Sequence, residues 1–347
     1  MKALIHRFPA RGGDAGRHVS FRLRRRTLAV CLALTVLLLV LAFFSLAAGR
    51  FDTGPADVLG ALFGQAAGKT RMIVLEWRLP RLLLAMLLGA ALGLGGAIFQ
   101  SLTRNPLGSP DILGFSAGSH TGALVVLLLL SGGYYATALG ALGGGILAAI
   151  VVYLLAGTAG QHGFRLIVAG IGMSAMLSAF NAWMIRKADL EVAMGAALWA
   201  AGSLNGLGFE QFGPAAALCC LLALPLLALA RPMRQMELGE DVALASGISL
   251  GRVRRTLMLL GVALTAVVTA TAGPISFIAL CAPQIARRLV GVSSLGLFTS
   301  ALVGAVLLVA ADAAAQHAFG RQLPVGIVTV SVGGLYLLWL LIREGRR

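Results

Sequence analysis

Long uncharged runs dominate the chain, and their lengths limit what they can be. Leu82 to Thr103 is 22 residues without Asp, Glu, Lys or Arg, enough for one helix through a hydrocarbon core about 30 Å thick. Ile112 to Phe164 is an uncharged run of 53 residues. As a single helix it would be about 80 Å long, so it must fold back on itself. Ser131-Gly132-Gly133 is the predicted turn.

The same reasoning along the chain predicts helices near 27–48, 82–103, 112–130, 136–156, 166–185, 212–230, 256–273, 275–287, 295–312 and 323–342. That makes ten, the eighth unusually short. Val192 to Phe209 is apolar but broken by Gly202, Gly206 and Gly208. It reads as a short helix lying at the surface or dipping in. The expected class is an all-α polytopic membrane protein of about ten transmembrane helices.

Composition strengthens this reading. Of 347 residues, 59% are hydrophobic and 12% charged, where a soluble domain carries roughly twice that charge. The 45 glycines suit close packing of membrane helices through small side chains. A net charge of +15 raises nucleic acid as a partner, yet the basic residues sit in short clusters between apolar runs, as topology determinants do. Nucleic acid is therefore not expected.

Eight of the 28 Lys and Arg fall within residues 1–26, read as a basic cytoplasmic tail. The run Thr27 to Ala48 exceeds a signal-peptide core and reads as a retained first helix. Residues 27–347 then form a single transmembrane domain. With the N-terminus in the cytoplasm, 20 of the 28 basic residues lie on the inner side, which places both ends inside and requires an even number of crossings. Cys31, Cys219, Cys220 and Cys281 all lie in apolar runs and read as small hydrophobic side chains, not as a disulfide framework or zinc site.

Some apparent motifs carry no chemistry. Gly64-Gln65-Ala66-Ala67-Gly68-Lys69-Thr70 is one residue short of a phosphate-binding loop, with no strand expected before it. Gly170-Ile171-Gly172 and Ala175 lie in an apolar span, where they allow close helix packing. No His or Cys grouping has metal-ligand spacing, no pair of carboxylates lies in a span, and no catalytic residues are assigned. Asp312 and His120 are the ionisable residues nearest the membrane interior. Each is open to a functional or a packing role.

Three segments depart from plain lipid-facing helix. In Gln100 to Pro110, Pro106 and Pro110 forbid helix continuation, and irregular backbone at such depth needs protein or a water-filled cavity around it. A gate and an ordinary tight turn are the two readings. The loop Arg231 to Arg255 contains a predicted short helix over 236–248 with acidic residues at its start and Gly247 as its stop. Leu238, Val242, Ala245 and Ile248 recur there at helical spacing, a stripe that either seeks a partner or lies on the bundle. In the third, two prolines bracket a 13-residue stretch within Gly273 to Arg288, too short to cross unless enclosed by protein. Arg78, Arg81 and Arg321 run against the charge asymmetry, as docking residues for an acidic partner or as snorkelling anchors.

With Arg78-Leu79-Pro80-Arg81, Gly89-Ala90-Ala91-Leu92-Gly93, Gly96-Ala97-Ile98-Phe99-Gln100, Arg104-Asn105-Pro106-Leu107 and Leu323-Pro324-Val325-Gly326, these segments resemble the iron-siderophore and vitamin B12 permease family of bacterial ABC importers. The resemblance covers about residues 70–345. It implies ten helices per subunit, an inner-membrane location, and a dimer of permeases around a central path, here expected to be a heterodimer. It implies separate ATPase subunits that hold ATP and Mg, and a periplasmic siderophore-binding protein; no cofactor or metal is expected in this chain.

By similarity, Leu238, Gly239, Glu240, Ala243, Leu244 and Gly247 form the ATPase-coupling loop. Gln100, Asn105, Pro106 and Leu107 line the path or gate, and Arg78 and Arg81 face the binding protein. Some relatives carry a further arginine near Gln316; Arg321 is expected to substitute. The implied cargo is a ferric siderophore, enterobactin or a similar catecholate, with cobalamin or haem as alternatives. An ion-driven secondary transporter is the competing class.

Overall fold

The structure is a computed structural model that describes residues 3–9, 18–49, 51, 54–66, 68–130, 132–157, 162–291 and 296–344. Ser131 of the predicted turn, Ala67 of the glycine-rich stretch, and Lys2, Arg11, Arg17, Arg346 and Arg347 of the charge asymmetry lie outside the described residues. Within the basic tail, β1 (Ala3–Pro9) and β2 (His18–Arg24) pair antiparallel. The rest of the described chain is built from helices.

Each of the ten predicted segments corresponds to a helix: α1 (Arg25–Ala47), α4 (Leu79–Thr103), α5 (Phe115–Leu129), α6 (Tyr134–Ala156), α7 (His162–Lys187), α9 (Phe209–Glu237), α11 (Leu250–Ala272), α12 (Ile278–Val290), α13 (Leu297–His317) and α14 (Val325–Glu344). Seven helices among the described residues are long and apolar enough to cross a membrane; α5 and α12 are shorter, at 15 and 13 residues, and in α14 the apolar stretch is Val325–Trp339. Three further helices connect them: α2 (Pro55–Leu62), α3 (Gly68–Arg71), which continues through a wide π turn at Met72–Arg78 into α4, and α10 (Glu240–Ala245). The segment expected to be a short helix is α8 (Leu190–Ala200), followed by irregular chain to Gly208.

Helices α4, α11, α12 and α13 form the buried centre, and glycine lets them meet. A Cβ at Gly96 would collide with the Ala279 carbonyl of α12. One at Gly93 would collide with the Ser300 carbonyl of α13. Gly118 and Gly122 of α5 lie against Gly140 and Gly144 of α6 in the same manner. Backbones at this distance gain dispersion contacts that side chains would hold apart. Of the Gly170 pair, a Cβ at Gly170 would stand 2.6 Å from Leu113 Cα, whereas Gly172 meets nothing within 4 Å. Close packing is therefore confined to the first. Cys219 and Cys281 are buried as expected, but Cys220 is exposed on α9.

Several boundaries move for local reasons. Gly273, at φ 74°, ends α11, and the chain stays irregular until Phe277, itself at φ 70°. The short helix consequently starts three residues later than its pattern suggests. Helix α13 runs on to His317, so Asp312 lies inside it and not at its end. Helix α9 continues through Glu237 despite Pro232, and Gly239 at φ 132° then breaks the chain. The loop predicted over 231–255 is thereby reduced to 238–249, and its helix to six residues. A helix, α2, precedes Gly64, so the glycine-rich stretch lacks the strand a phosphate loop requires.

Candidate functional site

Helix α4 ends where Arg104 adopts φ 49°, a left-handed conformation seldom taken outside glycine. Pro106 and Pro110 then keep residues 104–114 from resuming a helix. The backbone groups so released find side-chain partners. Asn105 Oδ1 accepts from Leu107 N–H at 2.8 Å, and Ser109 Oγ accepts from Ile112 N–H at 3.3 Å. Gln284 Nε2 donates to the Pro106 carbonyl at 2.9 Å and to Gln100 Oε1 at 3.0 Å, while Gln100 Nε2 donates to the Leu280 carbonyl at 2.9 Å. Three of the four predicted path residues, Gln100, Asn105 and Pro106, thus fall into one polar junction of α4, α12 and the loop; Leu107 joins through its N–H. Gln100, Asn105 and Pro106 also line a cavity of about 160 Å³.

Asp111 extends this junction. Its carboxylate accepts from Ser116 Oγ at 2.6 Å and from Phe277 N–H at 3.2 Å. The latter bond ties the loop to the start of α12. Neither Asp111 nor Gln284 stood out in the sequence as a structural partner. The signal available was a polar residue directly after a proline in apolar surroundings, at Pro110-Asp111 and Pro283-Gln284.

The 238–249 segment lies at the same end of α4. Leu238, Val242 and Leu244 are exposed, Ala243 is fully buried, and Ile248 packs against the bundle. The apolar surface is therefore Leu238, Val242 and Leu244 with Ala245; the predicted stripe was wrong at Ile248 because α10 ends at Ala245 and the chain turns inward. Gly239 and Gly247 supply positive φ on either side of α10. Glu240 Oε1 lies 2.9 Å from Arg254 and 3.3 Å from Arg104. The acidic start of the helix is thereby joined to the 104–114 loop.

At the other end of α4, the arginines are engaged within the chain. Arg78 donates to the Leu46, Ala47 and Phe51 carbonyls at 2.7, 3.2 and 3.2 Å, satisfying the end of α1. Arg81 pairs with Asp312 through two bonds of 2.7 and 2.9 Å and donates to Asn205 Oδ1 at 2.6 Å. Gln316 Nε2 also donates to Asp312, at 2.7 Å. Arg321 is exposed. Neither sequence reading, docking residue or snorkelling anchor, foresaw that Arg78 and Arg81 would hold helices together. His120 of α5 packs its ring 5.7 Å from Trp199 of α8.

The chain as a whole is similar to known proteins. The model of the FecCD transport family matches residues 37–343. The chain is 51% identical to the ferric enterobactin transport system permease protein FepG of Escherichia coli over 93% of its own length and 98% of that protein. It is 35% identical to the iron(3+)-hydroxamate import system permease protein FhuG of Bacillus subtilis, over 90% of this chain and 97% of that one. A solved inward-facing metal-chelate-type ABC transporter superposes with a TM-score of 0.79 at 26% identity, covering 91% of this chain and 99% of that chain. A family model that spans residues 37–343 and relatives matched over nearly their whole length establish the lineage: the chain belongs to the FecCD transport family.

Proposed function

We propose that this multi-pass membrane permease is the translocating subunit of an ATP-driven importer for a ferric catecholate siderophore, with ferric enterobactin as its cargo. The observation that carries the proposal is 51% identity to the enterobactin permease across nearly the whole of both chains. In this reading residues 27–347 are one transmembrane domain of ten crossings, and residues 1–26 and the C-terminus lie in the cytoplasm. The abundance of Lys and Arg at the Arg104 end supports that orientation.

ATP and Mg belong to a separate ATPase subunit, which docks on Leu238, Gly239, Glu240, Leu244 and Gly247, with Ala243 seating this segment on the bundle from beneath. The exposed Leu238, Val242 and Leu244 beside an acidic helix start offer it an apolar centre with a charged rim. Gln100, Asn105, Pro106 and Leu107 form the gate: the backbone from Asn105 to Leu107 is irregular, Gln100 faces it from the last turns of α4, and the bonds that hold the loop come from side chains able to exchange partners. A periplasmic siderophore-binding protein docks at the opposite end, where Arg321 is exposed and Arg78 and Arg81 are engaged in internal bonds. A homologous permease completes the path as a heterodimer, within the lipid of the bacterial inner membrane.

Reconstitution tests this. Proteoliposomes containing both permeases and the ATPase, given the loaded binding protein, should accumulate radiolabelled ferric enterobactin only when ATP is supplied. Uptake that persists without ATP or without the ATPase subunit would replace this reading with ion-coupled transport. Accumulation of cobalamin or haem in preference to the siderophore would overturn the cargo.

A further inference from the structure

Glu240 joins two elements through a single oxygen. Its Oε1 accepts from Arg254 of α11 at 2.9 Å and lies 3.3 Å from the Arg104 guanidinium. The two arms differ in shielding: the Arg254 side chain is 16% exposed and that of Arg104 is 44%. Water and salt compete more for the longer, more exposed arm.

Arg104 is placed to pass on a displacement. It forms part of the wall of the polar cavity beside Asn105, Pro106, Glu237 and Arg287. Two residues further on, the Pro106 carbonyl is held by Gln284, which also grips Gln100 of α4. A shift of α10 therefore reaches Arg104 through a charged contact, and Pro106, two residues on, is held to the bundle by the Gln284 amide, with the Asp111–Phe277 bond and the buried Leu113 anchoring the far side of the loop. Neither the Arg104 contact nor the Gln284 amide involves a packed apolar surface that would have to be torn apart.

We infer that Glu240 is a positioning residue for transport: Arg254 anchors it, and its bond to Arg104 transmits movement of α10 to the 104–114 loop. This rests on the reading of α10 as the ATPase contact. Movement at α10 changes where Glu240 Oε1 stands, and Arg104 follows it or lets go. Either event alters the wall of the cavity next to Pro106. A static surface pair would hold the same geometry and leave the ratio of cargo to ATP untouched.

The test uses the full complex in proteoliposomes and reads cargo moved per ATP hydrolysed. Arg104→Gln should lower that ratio about three-fold, in keeping with the modest strength of an exposed pair, while the ATPase subunit co-purifies in its usual proportion. Arg104→Lys should restore most of the ratio, since it keeps the charge. Adding Arg104→Gln to Glu240→Gln should lower it no further, because Glu240→Gln has already removed the contact that Arg104 makes. An unchanged ratio in Arg104→Gln, full additivity in the double variant, or loss of the ATPase subunit on Arg104→Gln would each overturn the link. Crosslinking from Val242→Cys to the ATPase separates the two levels: a crosslink with an unchanged ratio removes only the link, and no crosslink removes the docking reading as well.

Discussion

Two ion-pair sites lie at the two ends of α4, about 34 Å apart along its axis, and they are built on opposite plans. The Arg81–Asp312 pair is bidentate, with side chains 14% and 3% exposed, and Asn205 and Gln316 take up further hydrogen-bonding capacity. The Arg104–Glu240–Arg254 group shares one carboxylate oxygen between two arginines, with Glu240 38% exposed. A forked pair shielded from water fixes both distance and angle. A single oxygen in water fixes neither. The first site clamps α4, α13 and the chain near Asn205 into one unit, and the second leaves α10 and the 104–114 loop in contact yet able to move.

Breaking the clamp should give the largest effect. Asp312→Ala leaves the Arg81 charge enclosed without its partner, which costs about 3–5 kcal/mol and should appear as a large drop in the thermal midpoint of the detergent-solubilised complex. A drop no greater than that of a surface replacement would erase the contrast between the two ends. Gln284→Leu comes next. It strands the Pro106 carbonyl and Gln100 Oε1, at about 1–3 kcal/mol, and should loosen the loop enough to raise hydrogen exchange across residues 104–114. Protection equal to the parent would mean that the amide is not what holds the loop.

Glu240→Gln should cost no more than about 1 kcal/mol of stability, so a midpoint within a few degrees of the parent is expected even as coupling suffers. A collapse like that of Asp312→Ala would show that the exposed site is also a clamp. Salt provides the mildest probe. Raising ionic strength from about 0.1 M to about 1 M shortens the Debye length from ~10 to ~3 Å. That should weaken coupling through Arg104 and Glu240 while leaving the Arg81–Asp312 contribution to stability unaltered. Equal sensitivity at both ends would sharpen the comparison in the other direction, by placing water around Asp312.

Much of this architecture was legible without coordinates. Uncharged runs the length of a bilayer located ten helices, and Pro106 and Pro110 marked the irregular loop. The pattern singled out the stretch Gln100 to Pro110 as a gate or a tight turn, and the resemblance, not the pattern, named Asn105, Pro106 and Leu107 within it. That pattern placed the start of α12 three residues early and the end of α13 five residues early. Apolar residues continue through Phe277 and Ala311 alike, so hydropathy alone cannot register where the backbone leaves or keeps its helix.

Partnership between distant residues was the part that the pattern could not hold. Arg81 and Asp312 are 231 positions apart, and Gln284 and Pro106 are 178 apart. Nothing local to either member of a pair names the other. Local chemistry, namely the length of apolar runs, the ban on helical proline and the placement of charge, determined that this chain enters a membrane as a helical bundle with an irregular loop. Only the packing of α4 against α12 and α13, where glycine brings backbones together, decided which polar groups would meet. Enclosed polar groups must find partners among whatever the fold puts within reach, so Arg81 became a clamp and Glu240 a bridge.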